Sequence, residues 1–95
     1  MKSFSPFDMA EHLDSEEMIA GFLADAMEDA NPDVFIAALG YVAKARGMSD
    51  IAKETGLGRE SLYKALKSGS KLRYETVQKV MSSLGMRLTV TSKPA

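Results

Sequence analysis

Five polar side chains within one short stretch of the chain have the chemistry that nucleic-acid binding requires. They belong to residues 48–67, MSDIAKETGLGRESLYKALK, and we call them the reading face: Arg59, Glu60, Tyr63, Lys64 and Lys67. Side chains of these types can hydrogen-bond the edges of base pairs, and the cations among them can also pair with phosphate. We therefore predict a DNA-binding surface that consists of the reading face together with Ser49, Lys53, Lys71 and Arg73.

The spacing of small residues in the same stretch predicts a helix-turn-helix. Ala52 has only a methyl group where two helices would cross, and Gly56, four residues later, can adopt the positive φ that a sharp turn needs. Apolar residues on both sides of the turn are expected to share one core: Ile51, Leu57 and Leu62. Further residues fit this motif as caps or stops: Ser49 before the first helix, Gly58 before the second, and Lys67-Ser68-Gly69 after it.

Both interpretations have structural alternatives. Two short amphipathic helices with this spacing also occur as a plain hairpin in an all-α core that binds no nucleic acid. Tyr63 could stack on a sugar or donate its hydroxyl to a phosphate, but it could equally be a core residue whose hydroxyl reaches solvent.

The charges of the chain are strongly segregated although they nearly cancel, with a net charge of −1. Residues 1–33 contain nine acidic residues and one lysine, a net charge of −8, whereas residues 34–95 contain eleven cations and four acidic residues, a net charge of +7. The basic part includes the reading face and suits contact with phosphate. The acidic part must face away from DNA or meet a basic partner; alternatively, it is a solvated surface that keeps the protein soluble.

Helical periodicity and capping residues predict the elements before the reading face. Residues 1–7 lack periodicity and are expected to form an extended arm, which a single helical turn over residues 8–13 follows. Asp14, with Glu17 three residues later, resembles a capping box that starts a helix ending at about Asp29. The residues expected to face the core are Ile19, Phe22, Leu23, Ala26 and Met27.

A second helix is predicted immediately afterwards. Asn31 is a suitable N-cap and Pro32 a suitable first residue, so this helix should begin there and end at Arg46, before Gly47. Its inward residues are expected to be Phe35, Leu39, Val42 and Ala43.

The C-terminal part combines a helix with a change of periodicity. A helix from Tyr74 to about Leu84 should end at Gly85 and bury Val77, Val80, Met81 and Leu84. Residues 86–91 then alternate between apolar and polar, which predicts a half-buried strand. Because no second alternating run is present, we expect this strand to pair with a second copy, placing Met86, Leu88 and Val90 in a homodimer interface. Residues 92–95 are expected to form a tail.

Composition argues against an enzyme, a metal site and a membrane protein. The chain has no cysteine and a single histidine, His12, so neither a zinc site nor a nucleophile activated by histidine is expected. Gly56-Leu57-Gly58 lacks the preceding strand and the Lys-Ser/Thr pair of a nucleotide-binding loop. No apolar run is long enough to span a membrane. We expect a cytoplasmic protein that uses no cofactor.

The order of these elements resembles the addiction-module antidote proteins, which are Xre-type helix-turn-helix antitoxins of RelE-like toxins. The resemblance extends over about residues 7–91, and the segments that carry it are Phe7-Asp8, Ala38-Leu39, Ala45-Arg46-Gly47-Met48, Gly56-Leu57 and Arg59-Glu60-Ser61-Leu62-Tyr63. It implies an all-α fold: a five-helix, repressor-like domain over residues 8–91, here with one short C-terminal β-strand. It also implies a homodimer that binds its own operator DNA and neutralises a small toxin.

The chain departs from the pattern of the family in two places. Related domains usually begin the last helix with an Asn-Pro pair, but Lys71 and Leu72 stand there in this chain, so the cap is missing or has moved to Ser70. Gly58 replaces the Ser or Thr that is common before the second helix of the motif, which removes a hydroxyl group that could position a phosphate.

The resemblance gives the acidic part a possible partner, because a toxin that cleaves RNA must present positive charge. The residues expected to contact such a toxin are Glu16, Glu17, Asp25, Glu28 and Asp29, although the arm or the C-terminal strand could serve instead. The predicted function is therefore a DNA-binding antitoxin that represses its own operon. The alternatives are a stand-alone dimeric repressor without a toxin and a protein-interaction module that no longer binds DNA.

Overall fold

Five helices make up most of the described part of the chain. The structure is a computed structural model that describes residues 15–67 and 69–94. In chain order the helices are α1 (Glu16–Met27), α2 (Pro32–Arg46), α3 (Met48–Thr55), α4 (Arg59–Ala65) and α5 (Tyr74–Ser83). None of them is long and apolar enough to cross a membrane. The predicted arm and the helical turn over residues 8–13 lie outside the described residues.

Helix α1 begins one residue later than predicted. Its N-cap is Ser15, whose hydroxyl oxygen accepts a hydrogen bond from the backbone N–H of Met18, and the predicted cap Asp14 lies outside the described residues. A serine hydroxyl satisfies one of the unpaired N–H groups of the first turn as well as a carboxylate does. The helix ends at Met27, two residues before the predicted end, and Met27 is 53% exposed rather than buried.

Both predicted ends of helix α2 are confirmed. The side chain of Asn31 accepts a hydrogen bond from the N–H of Asp33, Pro32 is the first helical residue, and Gly47 ends the helix with a φ of +106°. Leu39, Val42 and Ala43 are buried as predicted, whereas Phe35 is half-buried. The prediction did not include three other buried residues of this helix: Ile36, Ala38 and Gly40.

One hydrophobic cluster joins all five helices. Its members are Ile19, Leu23 and Ala26 of α1; Ala38, Leu39, Val42 and Ala43 of α2; Met48 and Ile51 of α3; Leu62 of α4 with the following Leu66; and Val77, Val80 and Met81 of α5 with Leu84. The four inward residues predicted for α5 are therefore buried. Within the described ranges no charged or polar residue is buried in this core.

The predicted strand over residues 86–91 is not seen: residues 15–67 and 69–94 contain helices but no strand. The backbone instead leaves α5 through a left-handed Gly85, with a φ of +77°, and the N–H of Met86 donates to the carbonyl oxygen of Met81 at 2.8 Å. This is the hydrogen bond of a Schellman motif, and it returns the chain to its own core.

The three residues predicted for a dimer interface do not lie in the same environment. Met86 and Leu88 are half-buried and pack against the core of their own chain, whereas Val90 is 97% exposed. The alternation in the sequence thus reflects a segment whose alternate residues Met86 and Leu88 pack against the core. A strand needs a neighbour to satisfy its backbone groups, and the described residues of this chain provide none.

Candidate nucleic-acid interface

A three-residue turn joins α3 to α4 and sets their relative positions. Gly56 has a φ of +76°, and its N–H donates to the carbonyl oxygen of Ala52 at 3.0 Å. The hydroxyl of Thr55 donates to the carbonyl oxygen of Ile51 at 2.7 Å and accepts from the N–H of Leu57 at 3.3 Å. Thr55 was not among the predicted residues, although a short hydroxyl side chain directly before the turn glycine was the available signal.

The caps of these two helices agree only in part with the predictions. Gly56 ends α3 and Gly58 precedes α4, as expected. The prediction that Ser49 caps α3 is wrong, because the helix begins at Met48 after Gly47 and Ser49 lies in its first turn without a side-chain cap bond. Neither Gly47 nor Gly58 has a side chain that could cap a helix. Helix α4 ends at Ala65, earlier than the predicted closure at Lys67.

Apolar contacts fix helix α4 on the core and leave its polar residues outside. Leu62 is fully buried and Leu66, directly after the helix, is nearly so, while Leu57 packs against the cluster from the turn. Gly40 of α2 allows this close approach, since a Cβ atom at that position would lie 2.8 Å from the backbone carbonyl oxygen of Leu66. All five residues of the reading face are exposed: Arg59, Glu60, Tyr63, Lys64 and Lys67.

Tyr63 is the point where cations from two helices meet. The residue is 40% exposed, the guanidinium carbon of Arg59 lies 5.6 Å from the centre of its ring, and the Nζ atom of Lys44 lies 5.8 Å from that centre. A cation within about 6 Å of an aromatic ring is attracted by the negative face of the ring. Tyr63 is therefore not a core residue. Lys44 was not among the predicted residues, because a lysine in the last turn of a helix is common for reasons unrelated to binding.

The remaining predicted DNA-binding residues lie on neighbouring segments. Ser49 and Lys53 are exposed on α3, one turn apart, and Lys71 and Arg73 are exposed in the loop before α5. Arg73 occupies the N-cap position of α5 without a side-chain cap bond, so the missing cap noted in the sequence has no replacement. Ser70 does not cap α5, because its hydroxyl donates to the carbonyl oxygen of Ala65 at 2.6 Å.

The cations of this surface have no acidic partners in the part of the chain that the structure describes. There, the only ion pair joins Lys79 and Glu75 on α5, at 3.7 Å. Glu60 and Lys64 are four residues apart on α4 but form no ion pair. Positive charges that are not neutralised within the chain remain available to an anionic partner.

The acidic residues predicted to contact a toxin lie on and after helix α1, and all five are exposed: Glu16, Glu17, Asp25, Glu28 and Asp29. Two of them have close neighbours. The carboxylate of Asp29 accepts a hydrogen bond from the N–H of Asn31 at 2.9 Å, and the carboxylate of Glu16 lies against Gly85. Within residues 15–67 and 69–94, no group of three acidic or histidine side chains is placed to hold a metal ion.

Comparisons with known proteins place this geometry in context. The model of a protein family described as "probable addiction module antidote protein" matches residues 3–92. A protein from Haemophilus influenzae that is described as uncharacterized is 44% identical over 84 residues, which cover 88% of this chain and 87% of that protein. No solved structure matches the chain.

Proposed function

Because the chain belongs to the family of probable addiction module antidote proteins, we propose that it is a DNA-binding antitoxin that neutralises a RelE-like toxin and represses its own operon. In this proposal α3, the turn at Gly56 and α4 form an Xre-type helix-turn-helix, and the protein acts in the cytoplasm as a homodimer. The family supports the antidote role, and the charges of α4 and α1 support the roles in DNA and toxin binding.

The exposed reading face of α4 carries the DNA-binding part of the proposal. A seven-residue helix is about 10 Å long, and the major groove of B-DNA, about 12 Å wide, admits a helix. Arg59 is suited to a bidentate contact with guanine, while Lys44, Lys64 and Lys67 suit phosphate. Lys44 extends the basic surface from α4 to α2 through the ring of Tyr63.

Opposite charge supports the toxin-binding part of the proposal. Residues 16–33 contain six acidic residues and neither lysine nor arginine. A toxin that cleaves RNA must attract phosphate, so its working surface is positive and would be repelled by the reading face but attracted by α1. The two partners would therefore approach regions of opposite charge.

DNA binding is tested with a gel-shift titration of the duplex upstream of the gene against a scrambled duplex. We expect the wild type to prefer the upstream duplex. Arg59→Ala should cost about 1–3 kcal/mol at one base pair and relax specificity there, whereas Lys71→Ala should weaken binding to both duplexes equally and reduce the salt slope by about one. Equal losses on both duplexes for Arg59→Ala would contradict a base-reading role.

The same titration, combined with an assay of toxin binding and inhibition, separates the alternatives. A wild-type chain that binds neither duplex but binds the toxin would be an interaction module rather than a repressor. A chain that binds the upstream duplex and fails to inhibit the toxin encoded beside it would be a stand-alone repressor. The DNA-binding and antidote parts of the proposal can thus fail separately.

A further inference from the structure

A groove between α1 and α2 is open to solvent although most of its lining is apolar. It has a volume of about 450 Å³, and its lining residues are Phe22, Asp25, Ala26, Val34, Ala37, Ala38 and Tyr41. The rings of Phe22 and Tyr41 form one wall in an edge-to-face arrangement, with their centres 6.0 Å apart and their planes at 78°. We call this feature the α1–α2 groove.

The groove exists because helix α2 has apolar residues on two sides. One side, with Leu39, Val42 and Ala43, is buried in the core. The other, with Val34, Ala37 and Tyr41, follows the spacing of one helical face and lines the groove together with Phe22, Asp25 and Ala26 of α1. Val34 remains 37% exposed. An apolar stripe left open beside a core is the kind of surface that a protein partner covers.

Charge restricts what the partner can be. Asp25 is the charged residue among the described residues that line the groove, and its carboxylate forms no ion pair within residues 15–67 and 69–94. The segment that forms the groove walls, residues 16–41, contains six acidic residues and no cation. A complementary partner therefore offers an apolar side chain with a lysine or arginine beside it.

The same charges argue against two other occupants. In a twofold dimer through this groove, the acidic segments of both copies would face each other and repel. The phosphates of DNA would be repelled in the same way.

We infer that the α1–α2 groove is the docking site of the toxin, which inserts an apolar side chain between Phe22 and Val34 and places an adjacent cation against Asp25. This inference rests on the proposed antidote function and assigns it a site. It adds a buried contact to the long-range attraction of the acidic helix. The two contributions affect different rate constants, since long-range charge acts mainly on association and a close contact acts on dissociation.

The test measures the binding kinetics of the full chain with the purified toxin encoded beside it. Ala37→Trp fills the groove, and Asp25→Lys reverses its charge; both side chains are exposed, so we expect both variants to fold. Each should accelerate dissociation by about tenfold or more, the factor typical of losing a central contact. Glu17→Lys is the matched control, because it makes the same charge change on the same helix but does not line the groove. It should slow association at low salt and accelerate dissociation by much less than Asp25→Lys does, because Glu17 lies outside the groove.

The outcomes separate the docking site from the function. Wild-type dissociation rates in both groove variants would overturn the inference while leaving the antidote function intact. Equal effects of Asp25→Lys and Glu17→Lys, without an effect of Ala37→Trp, would also overturn it, because only overall charge would then matter. A wild type that does not bind the toxin would refute the proposed function itself, and the inference with it. Unchanged circular dichroism and operator binding in the groove variants would show that the loss is specific to the toxin.

Discussion

At Thr55, one hydroxyl group connects the last turn of α3 to the segment that leads into α4. It donates to Ile51 and accepts from Leu57, so it satisfies two backbone groups where the helix ends. Thr55→Val keeps the shape but removes both hydrogen bonds, and we expect it to lower the free energy of unfolding by about 1–2 kcal/mol. Thr55→Ser keeps the hydroxyl and should lose less than about 1 kcal/mol. Urea denaturation measures both, and a valine variant as stable as the wild type would contradict this role.

The residues of the candidate site were predictable when their chemistry was visible in the side-chain type. Arg59 and Lys64 are exposed cations on a short helix, and their side-chain types alone made them candidates. Thr55 and Lys44 were missed because their roles depend on what they contact. A threonine before a glycine and a lysine near a helix end have many ordinary explanations, and only the fold brings Lys44 to the ring of Tyr63.

At the scale of elements, the contact between α2 and the end of α4 depends on one glycine. A methyl group at Gly40 would meet the backbone carbonyl of Leu66, which cannot move as a flexible side chain would. Gly40→Ala should therefore lower the free energy of unfolding by about 1–3 kcal/mol and weaken DNA binding, because α4 must shift.

A second helical glycine provides the matched control for this prediction. Gly21 lies in α1, and a Cβ atom there would meet nothing within 4 Å. Gly21→Ala should raise the stability by about 0.5–1 kcal/mol, because alanine has the higher helix propensity. Thermal unfolding of the two variants in parallel measures the difference, and equal shifts would show that the close approach at Gly40 is unimportant.

Helices were more predictable than the C-terminal segment for a physical reason. A helix satisfies its own backbone, so local signals such as Asn31-Pro32 and Gly47 determine where it begins and ends, and both ends of α2 were predicted correctly. A strand depends on a neighbour elsewhere in the fold, which alternation alone cannot supply. After α5, the path of the chain is instead set by a local hydrogen bond from the backbone N–H of Met86 to the carbonyl oxygen of Met81.

At the scale of the whole molecule, the segregation of charge should affect both proposed partners in opposite directions. Replacing Glu16, Glu17 and Glu28 with lysine raises the net charge of the acidic region by six. We expect the triple variant to bind the toxin more slowly at low salt and to bind random DNA more tightly, because attraction to one partner and repulsion of the other are both removed. Association rates at two salt concentrations measure the effect.

A triple glutamine variant at the same positions separates loss of charge from reversal of charge. It should show smaller changes in the same directions, and the differences between all three proteins should shrink as salt screens the charges. If the lysine variant inhibits the toxin as fast as the wild type, the acidic helix is only a solvated surface, and toxin contact must be sought elsewhere.

The three tyrosines give the molecule built-in spectroscopic reporters. The chain contains three tyrosines and no tryptophan. Tyr41 lines the α1–α2 groove, Tyr63 lies on the reading face, and Tyr74 is exposed at the start of α5. Biosynthetic incorporation of 3-fluorotyrosine would thus give three ¹⁹F resonances, which single Tyr→Phe substitutions assign. A duplex that shifts the Tyr63 signal and a toxin that shifts the Tyr41 signal would be distinguished in one NMR spectrum.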